Sequence, residues 1–367
     1  MTTRRRVFVS LYSVKAPGIW DHNDILKLIF GENNHEVKQE IIHYSNRKII
    51  FGRLNLNENS KHFPRRSDVK IMRQDVIATS ICVNEIIDDA KLSKDVLSEM
   101  PLFISNGICL EKLPNQSDLI SKAVKIVVES NSDYEKFERI YQFIPPLLAL
   151  QTLTNASEHF ASQYSGITGD NTTFGNTSQS AFYALKEAFS KIELGENDIV
   201  LVGGSNCGGI YSHLTFKNFT GNDTIWHESP CAAFLLLESK ESLEKYKRKP
   251  QIEIKLLKSS HVIPDIYNTS SHAPYKSLNL RNKDEFGIFS GGFSESDYAI
   301  EKKAANSAWN ESFSWYPILG NMGAASIYMN IIAAIQYSKS KKHKFIVCVD
   351  CDPYARESYI ELSGVRV

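Results

Sequence analysis

Hydrophobic and polar positions alternate over short runs and then recur at helical spacing, several times along the chain. Val7, Val9 and Leu11 lie on one face of a first strand over residues 6–14. Asp24 to Gly31 reads as a short helix with a charged loop after it. Arg66 to Leu92 reads as one long helix, with Ile71, Val76, Ile81 and Val83 among its apolar positions. A strand over Leu102–Ile104, ending at Gly107, and a helix over Leu119–Val128 follow. Tyr134 to Ala156 is mixed, because Pro145 and Pro146 cannot both lie inside a helix. A further helix, from about Ala156 to Tyr164, leads to Gly166 and Gly169.

Thr172 to Asn206 is the most legible stretch. Thr172, Thr173 and Phe174 are strand formers. Gly175 and Asn176 mark a turn, since both tolerate unusual backbone angles. Ala181, Leu185, Ala188 and Phe189 recur at helical spacing, and Gly195 suits the left-handed residue that ends a helix. Ile199 to Val202 is a continuous apolar run, as in a strand covered on both faces. Gly203 and Gly204 then let the chain leave that strand tightly. A strand-to-helix elbow of this kind is where several enzyme folds hold a nucleophile at a helix N-terminus. Here it carries Ser178.

Beyond Asn206, residues 207–228 are turn-rich and residues 258–297 hold few periodic segments. Between them lie a buried strand over Cys231–Glu238, a charged helix over Ser239–Lys249 and a strand over Ile252–Leu257. Tyr298–Trp309 and Gly323–Ser338 read as helices, and Phe345–Asp350 as a late strand. This alternation predicts an α/β fold with parallel strands. No linker breaks the chain. Both halves share one rhythm without a visible repeat, so internal duplication is compatible with the pattern and not shown by it.

Composition narrows the function more than the fold. The 367 residues are 42% hydrophobic and 23% charged, ordinary for a globular protein. Lys+Arg and Asp+Glu both number 42, so the zero net charge makes no electrostatic case for nucleic acid or an anionic membrane. Neutrality weakly favours association with another subunit. No apolar run is long enough to span a bilayer, and the basic N-terminus leads into an alternating strand, unlike a signal peptide. Six cysteines sit mostly in strand-like segments, as small hydrophobes. Cys348 and Cys351 form a CxxC along a strand, which argues against a redox or metal role. A reduced, cytoplasmic protein is expected. There is no GxGxxG and no Walker loop.

Three motifs carry a resemblance: Gly166-Ile-Thr-Gly-Asp-Asn-Thr-Thr-Phe before the elbow, Leu194-Gly-Glu-Asn-Asp-Ile-Val-Leu-Val-Gly-Gly after its helix, and Gly320-Asn-Met-Gly-Ala-Ala-Ser. Pro230–Glu238, Asp265-Ile-Tyr-Asn, and Gly291-Gly-Phe-Ser with Asp297 and Glu301 add to it. Together they resemble the β-ketoacyl synthases, which have the thiolase fold. The resemblance implies an α/β, thiolase-like layered fold (α-β-α-β-α) with two similar halves, here residues 1–238 and 239–367. In that family an elbow cysteine attacks an acyl thioester, its thiolate supported by the helix N-terminus. Two histidines, or a histidine and an asparagine, assist decarboxylation, and backbone amides hold the thioester oxygen.

By the same resemblance the cysteine position falls on Ser178, the first histidine on Asn268, a lysine on Tyr316 and the second histidine on Asn321. The glycine-rich oxyanion turn appears as Cys351-Asp-Pro-Tyr354. A serine hydroxyl is a poor nucleophile without a base beside it. Asparagine neither takes nor gives a proton, Tyr316 has no fixed charge, and Pro353 removes a backbone N–H. Asn321 also matches the Cys-His-Asn branch, for which His272 would be the nearest histidine. Ser178 reads more simply as a helix-start residue satisfying an amide, and Asn268 and Asn321 as the filling of a vestigial pocket. The chain is similar to the chain-length factors of type II polyketide synthases, subunits that have lost the nucleophile and pair with an active ketosynthase. Most of those carry glutamine at the cysteine position; here Ser178 stands there and Gln179 is next. A degenerate partner from an aryl polyene or fatty-acid-like pathway is similar too.

The resemblance therefore implies a non-catalytic partner subunit of a β-ketoacyl synthase, controlling chain length and shaping the elongation tunnel. Its partners would be an active ketosynthase, in a heterodimer contacting Thr172, Thr173 and Phe174, and an acyl carrier protein whose phosphopantetheine carries the acyl chain. No cofactor or metal of its own, nucleic acid or membrane is expected. Tyr134, Phe137 and Tyr141 share one helical face. Core packing is the simplest reading of that face; by the resemblance, its aromatics would end the tunnel. The alternatives are a serine-dependent acyltransferase or hydrolase of thiolase fold using Ser178, and a homodimeric, non-enzymatic binding module.

Overall fold

A computed structural model describes residues 4–30, 39–44, 47–107, 125–143, 153–175, 177–208, 225–261, 285–292, 294–341, 345–352 and 356–365. The strands are β1 (Val7–Lys15), β2 (Gln39–Tyr44), β3 (Arg47–Gly52), β4 (Leu102–Asn106), β5 (Asn171–Gly175), β6 (Ile199–Asn206) and β7 (Ile225–Glu228). After them come β8 (Cys231–Glu238), β9 (Ile252–His261), β10 (Phe286–Phe289), β11 (Glu311–Ser314), β12 (Phe345–Cys351) and β13 (Arg356–Gly364). The helices are α1 (His22–Phe30), α2 (Arg66–Val69), α3 (Gln74–Ala90), α4 (Lys94–Glu99), α5 (Asp133–Phe143) and α6 (Ala156–Ser165). The remainder are α7 (Ser178–Glu193), α8 (Lys240–Lys245), α9 (Glu295–Ala308), α10 (Tyr316–Leu319) and α11 (Ser326–Lys341).

Ten strands form one mixed sheet in the order β11-β10-β12-β13-β9-β1-β8-β6-β4-β5. Outward from its centre run β1, β8, β6, β4, β5 on one side and β9, β13, β12, β10, β11 on the other. On both sides the first two pairings are antiparallel and the last two parallel. The sides join where Val7–Val9 meets Ile252–Ile254, antiparallel. In this scheme α7, which follows β5, corresponds to α11, which follows β11.

Side-chain alternation then sets the layers. Val200 and Val202 of β6 and Ala233, Leu235 and Leu237 of β8 enter a core shared with α7 and α11. Their neighbours Ile199, Leu201, Ala232, Phe234 and Leu236 enter an outer cluster with Cys82, Val83 and Ile86 of α3. The other side repeats this. Ile346 and Cys348 of β12 face the shared core, while Val347 and Val349 meet Ala305 and Trp309 at α9. Helix, one side of the sheet, the central helix pair, the other side of the sheet and helix follow one another, which is the α-β-α-β-α layering expected. Small residues let the central pair fit: Ala181, Ala184, Ala188, Ala333 and Ala334 are fully buried. A left-handed Gly195 (φ 79°) ends α7, with Gly195 N–H on the Ile192 carbonyl (3.0 Å) and Glu196 N–H on that of Lys191 (2.9 Å).

Several expectations need correction. The long helix over residues 66–92 is two, α2 and α3. Between them Arg73 turns extended and pairs with Asp75 at 3.0 Å, both buried. The charged loop after α1 contains β2 and β3, a hairpin that continues into β7. Gly175 has no left-handed backbone, and a methyl group there would meet nothing. Gly203 and Gly204 lie within β6 and make no exit turn. A methyl group would overlap the Phe234 ring at Gly203 and the Ala324 carbonyl at Gly204. Cys348 and Cys351 fall on opposite faces of β12, in different clusters. Among the described residues no helix is long and apolar enough to cross a membrane.

Candidate functional site

The layering brings the first turns of α7 and α11 together under the end of β12. Ser178 opens α7, Ser326 opens α11, and Asp350 reaches both. Ser326 Oγ donates to Asp350 Oδ1 at 2.8 Å. Ser178, only 4% exposed, faces the same carboxylate and favours its ionised form. Neither Ser178 Oγ nor Asp350 Oδ2 makes a hydrogen bond of standard geometry. Burial, at 2% exposure, pushes the Asp350 carboxyl up to about 6; Ser178, Ser326 and Ser290 hold it down and Asp352 pushes it up. Gln179, 1% exposed, also leaves its amide without a hydrogen bond.

The residue before Ser178 is tied to the start of β13. Thr177 is extended (φ −128°) and does not cap α7 with its own hydroxyl. That hydroxyl donates to Asp352 Oδ2 at 3.0 Å and accepts from Arg356 Nη2 at 2.9 Å. Arg356 Nε donates to Asp352 Oδ2 at 2.7 Å, and its backbone N–H to Oδ1 at 2.9 Å. The thiol of Cys351 is pushed well above its ordinary value by burial first, then by Glu301, Glu357, Asp352 and Asp350. Where the resemblance puts an oxyanion turn, two carboxylates converge. The expectation that Ser178 satisfies a helix-start amide is not met either, since its hydroxyl faces Asp350.

Tyr316 and Asn321 have structural contacts. Tyr316 is buried and stacks on Tyr298 at 5.2 Å, which stacks on Phe289 at 6.0 Å. Asn321 Oδ1 accepts from Gly323 N–H at 2.8 Å, holding the turn into α11. Its backbone N–H donates to the His227 carbonyl at 2.7 Å and its carbonyl accepts from Ser229 N–H at 3.1 Å. His227 is a neighbour the sequence did not offer. Burial lowers its pKa to about 4, against a hydrogen bond with the Tyr316 backbone, so it is neutral at pH 7. Its ring stands edge-on to Tyr316 at 6.1 Å. Asp350 and Arg356 were also missed, and Asp352 was read only as part of the altered oxyanion turn. The available signal was two acids, two positions apart, ending an otherwise apolar strand.

The other expected residues lie apart from this cluster or outside the described structure. Thr172, Thr173 and Phe174 are half-buried on β5, the last strand of the sheet, with Phe174 edge-on to Phe103 at 6.2 Å. Tyr134 starts α5 and is 77% exposed, so it packs in no core. Phe137 and Tyr141 belong to α5, but their side chains lie outside the described residues. Asn268, His272, Pro353 and Tyr354 lie outside them as well. Among the described residues no cluster of three or more His, Cys, Asp or Glu is placed to hold a metal. Chemically, the elbow offers a carboxylate beside a buried serine. Any anion forming at position 178 would lie against Asp350.

No protein-family model matches the sequence, and no curated protein matches it. Solved structures match over essentially the whole chain. One is a type II PKS acyl-carrier protein in complex with its ketosynthase bound to the hexaketide: TM-score 0.70, 16% identity, covering 99% of this chain and 100% of that one. A second is the ishigamide ketosynthase/chain length factor, with TM-score 0.71, 14% identity and the same coverage. A third is a β-ketoacyl synthase from Burkholderia phymatum STM815, with TM-score 0.71, 12% identity and the same coverage. The layered sheet, the mirrored strand order and these neighbours together show that the chain has the thiolase-like fold of the ketosynthases.

Proposed function

We propose that the chain is the non-catalytic partner subunit of a β-ketoacyl synthase that extends carrier-bound polyketide chains. The observation that carries this is the elbow. Ser178 faces an internal carboxylate, Thr177 is clamped by Asp352 and Arg356, and Asn321 is engaged in a turn. The partner ketosynthase supplies the cysteine and docks against β5, the outermost strand of the sheet among the described residues, at Thr172 to Phe174. An acyl carrier protein presents the chain on its phosphopantetheine, and the subunit has no cofactor of its own. In support, one similar structure is named a ketosynthase/chain length factor, and another holds an acyl-carrier protein with its ketosynthase. The face of α5 carrying Phe137 and Tyr141 limits the product.

Co-expression with a type II ketosynthase from the same source, followed by pull-down, tests the pairing. A one-to-one complex is expected; failure to co-purify counts against the proposal. In the complex, Phe137→Ala and Tyr141→Ala are expected to lengthen the products, and an unchanged product ladder sinks that assignment. One observation favours a second reading, an acyl-enzyme on Ser178: a carboxyl raised by burial to about 6 faces this serine. Incubation with an acyl thioester decides it. A mass adduct lost in Ser178→Ala favours the enzyme.

A further inference from the structure

We propose that Asp350 keeps position 178 from supporting a thiolate or an oxyanion, so that a carboxylate, and not only the missing cysteine, silences the elbow. This deepens the non-catalytic reading above and rests on it. A helix N-terminus ordinarily stabilises a negative charge and lowers the pKa of a thiol placed there. In this chain that field already holds a negative charge of its own. The first turns of α7 and α11, each helix 16 residues long, both face Asp350.

The carboxylate is fixed and aimed. Ser326 holds Oδ1 at 2.8 Å, Oδ2 is buried without a hydrogen bond, and the Ser178 side chain lies close to this carboxyl. Its described surroundings do not neutralise it. From α7 it meets Ser178, from α11 Ser326, from the end of β10 Ser290, and along its own strand Asp352. Arg356 pairs with Asp352. Among the described residues no cation forms an ion pair with Asp350. Glu301 and Glu357 lie close to Cys351, the next residue along the strand. A second negative charge at position 178 would form a like-charged pair, which shifts a pKa upward by one unit or more.

The test compares the full-length chains Ser178→Cys and Ser178→Cys/Asp350→Asn. Labelling of residue 178 with iodoacetamide is followed against pH by peptide mass spectrometry. The introduced thiol is expected to titrate above the ordinary value of about 8.5 in the single variant. With Asp350→Asn added, its midpoint is expected to fall by a unit or more, so labelling at pH 7.5 rises about tenfold. Equal midpoints overturn the proposal. So does the absence of labelling in both variants at every pH, because burial alone would then silence the elbow. Should the double variant fail to fold, the single variant decides: a midpoint at or below that of the same thiol in urea overturns it. An acyl adduct on wild-type Ser178 would instead overturn the non-catalytic reading, and leaves the two labelling curves as they are.

Discussion

Asp350 also sets how the fold responds to pH. Its carboxyl stands at about 6 in the folded chain, above the ordinary 3.8, because it is buried. A carboxyl raised on folding holds its proton more tightly in the folded state. Its ionisation therefore weakens the fold above pH 6, and that penalty fades as pH falls through 6 toward 4. Asp350→Asn keeps an acceptor for Ser326 and removes the charge. It is expected to stabilise the chain by roughly 1–3 kcal/mol at pH 8 and hardly at all at pH 4, in urea unfolding. A loss of stability at pH 8 contradicts this. Arg356 acts in the opposite sense. Arg356→Ala leaves the Asp352 carboxylate buried without its cation, and a loss of about 3 kcal/mol is expected at pH 7 by the same measurement.

At the scale of elements, the glycines of the elbow separate into those that matter and those that do not. Gly204 lies under the Ala324 carbonyl, so Gly204→Ala should cost about 3 kcal/mol by forcing the Gly323–Ala325 turn off β6. Gly175→Ala meets open space and should change stability by less than about 0.5 kcal/mol. Thermal unfolding of the two variants checks both. The same stretch shows what the sequence makes legible. The β5–α7–β6 unit is readable because its apolar period changes from two to 3.6 and back within 36 residues, Asn171 to Asn206. The strands β7, β10 and β11 have four residues each, too few to establish a period. The aspartates were not legible for a different reason. Family resemblance directs attention to Ser178, Tyr316, Asn321 and the turn from Cys351 to Tyr354, where Asp352 reads as bulk in place of glycine, and Asp350 stands at none of those positions. His227 was hidden in the same way, on a short strand inside a turn-rich stretch.

At the scale of the molecule, α7 and α11 share one core with strands from both sides of the sheet. Neither residues 1–238 nor residues 239–367 can bury their central helix alone. We therefore expect one cooperative unfolding transition, with coincident fluorescence and far-UV circular dichroism curves in urea. Residues 239–367 expressed alone should lack a cooperative transition, and independent folding of that fragment would overturn this expectation. The place of β1 has a further consequence for how the chain is made. It is the first strand in sequence, yet it lies in the middle of the ten, paired to β8, which begins at Cys231, and to β9. At about 5–20 residues per second, roughly 10–45 s of synthesis separate the emergence of β1 from that of its first neighbour. Throughout that interval β1 is without either sheet neighbour, so the yield of this protein in a foreign host is expected to respond to chaperone supply and translation speed.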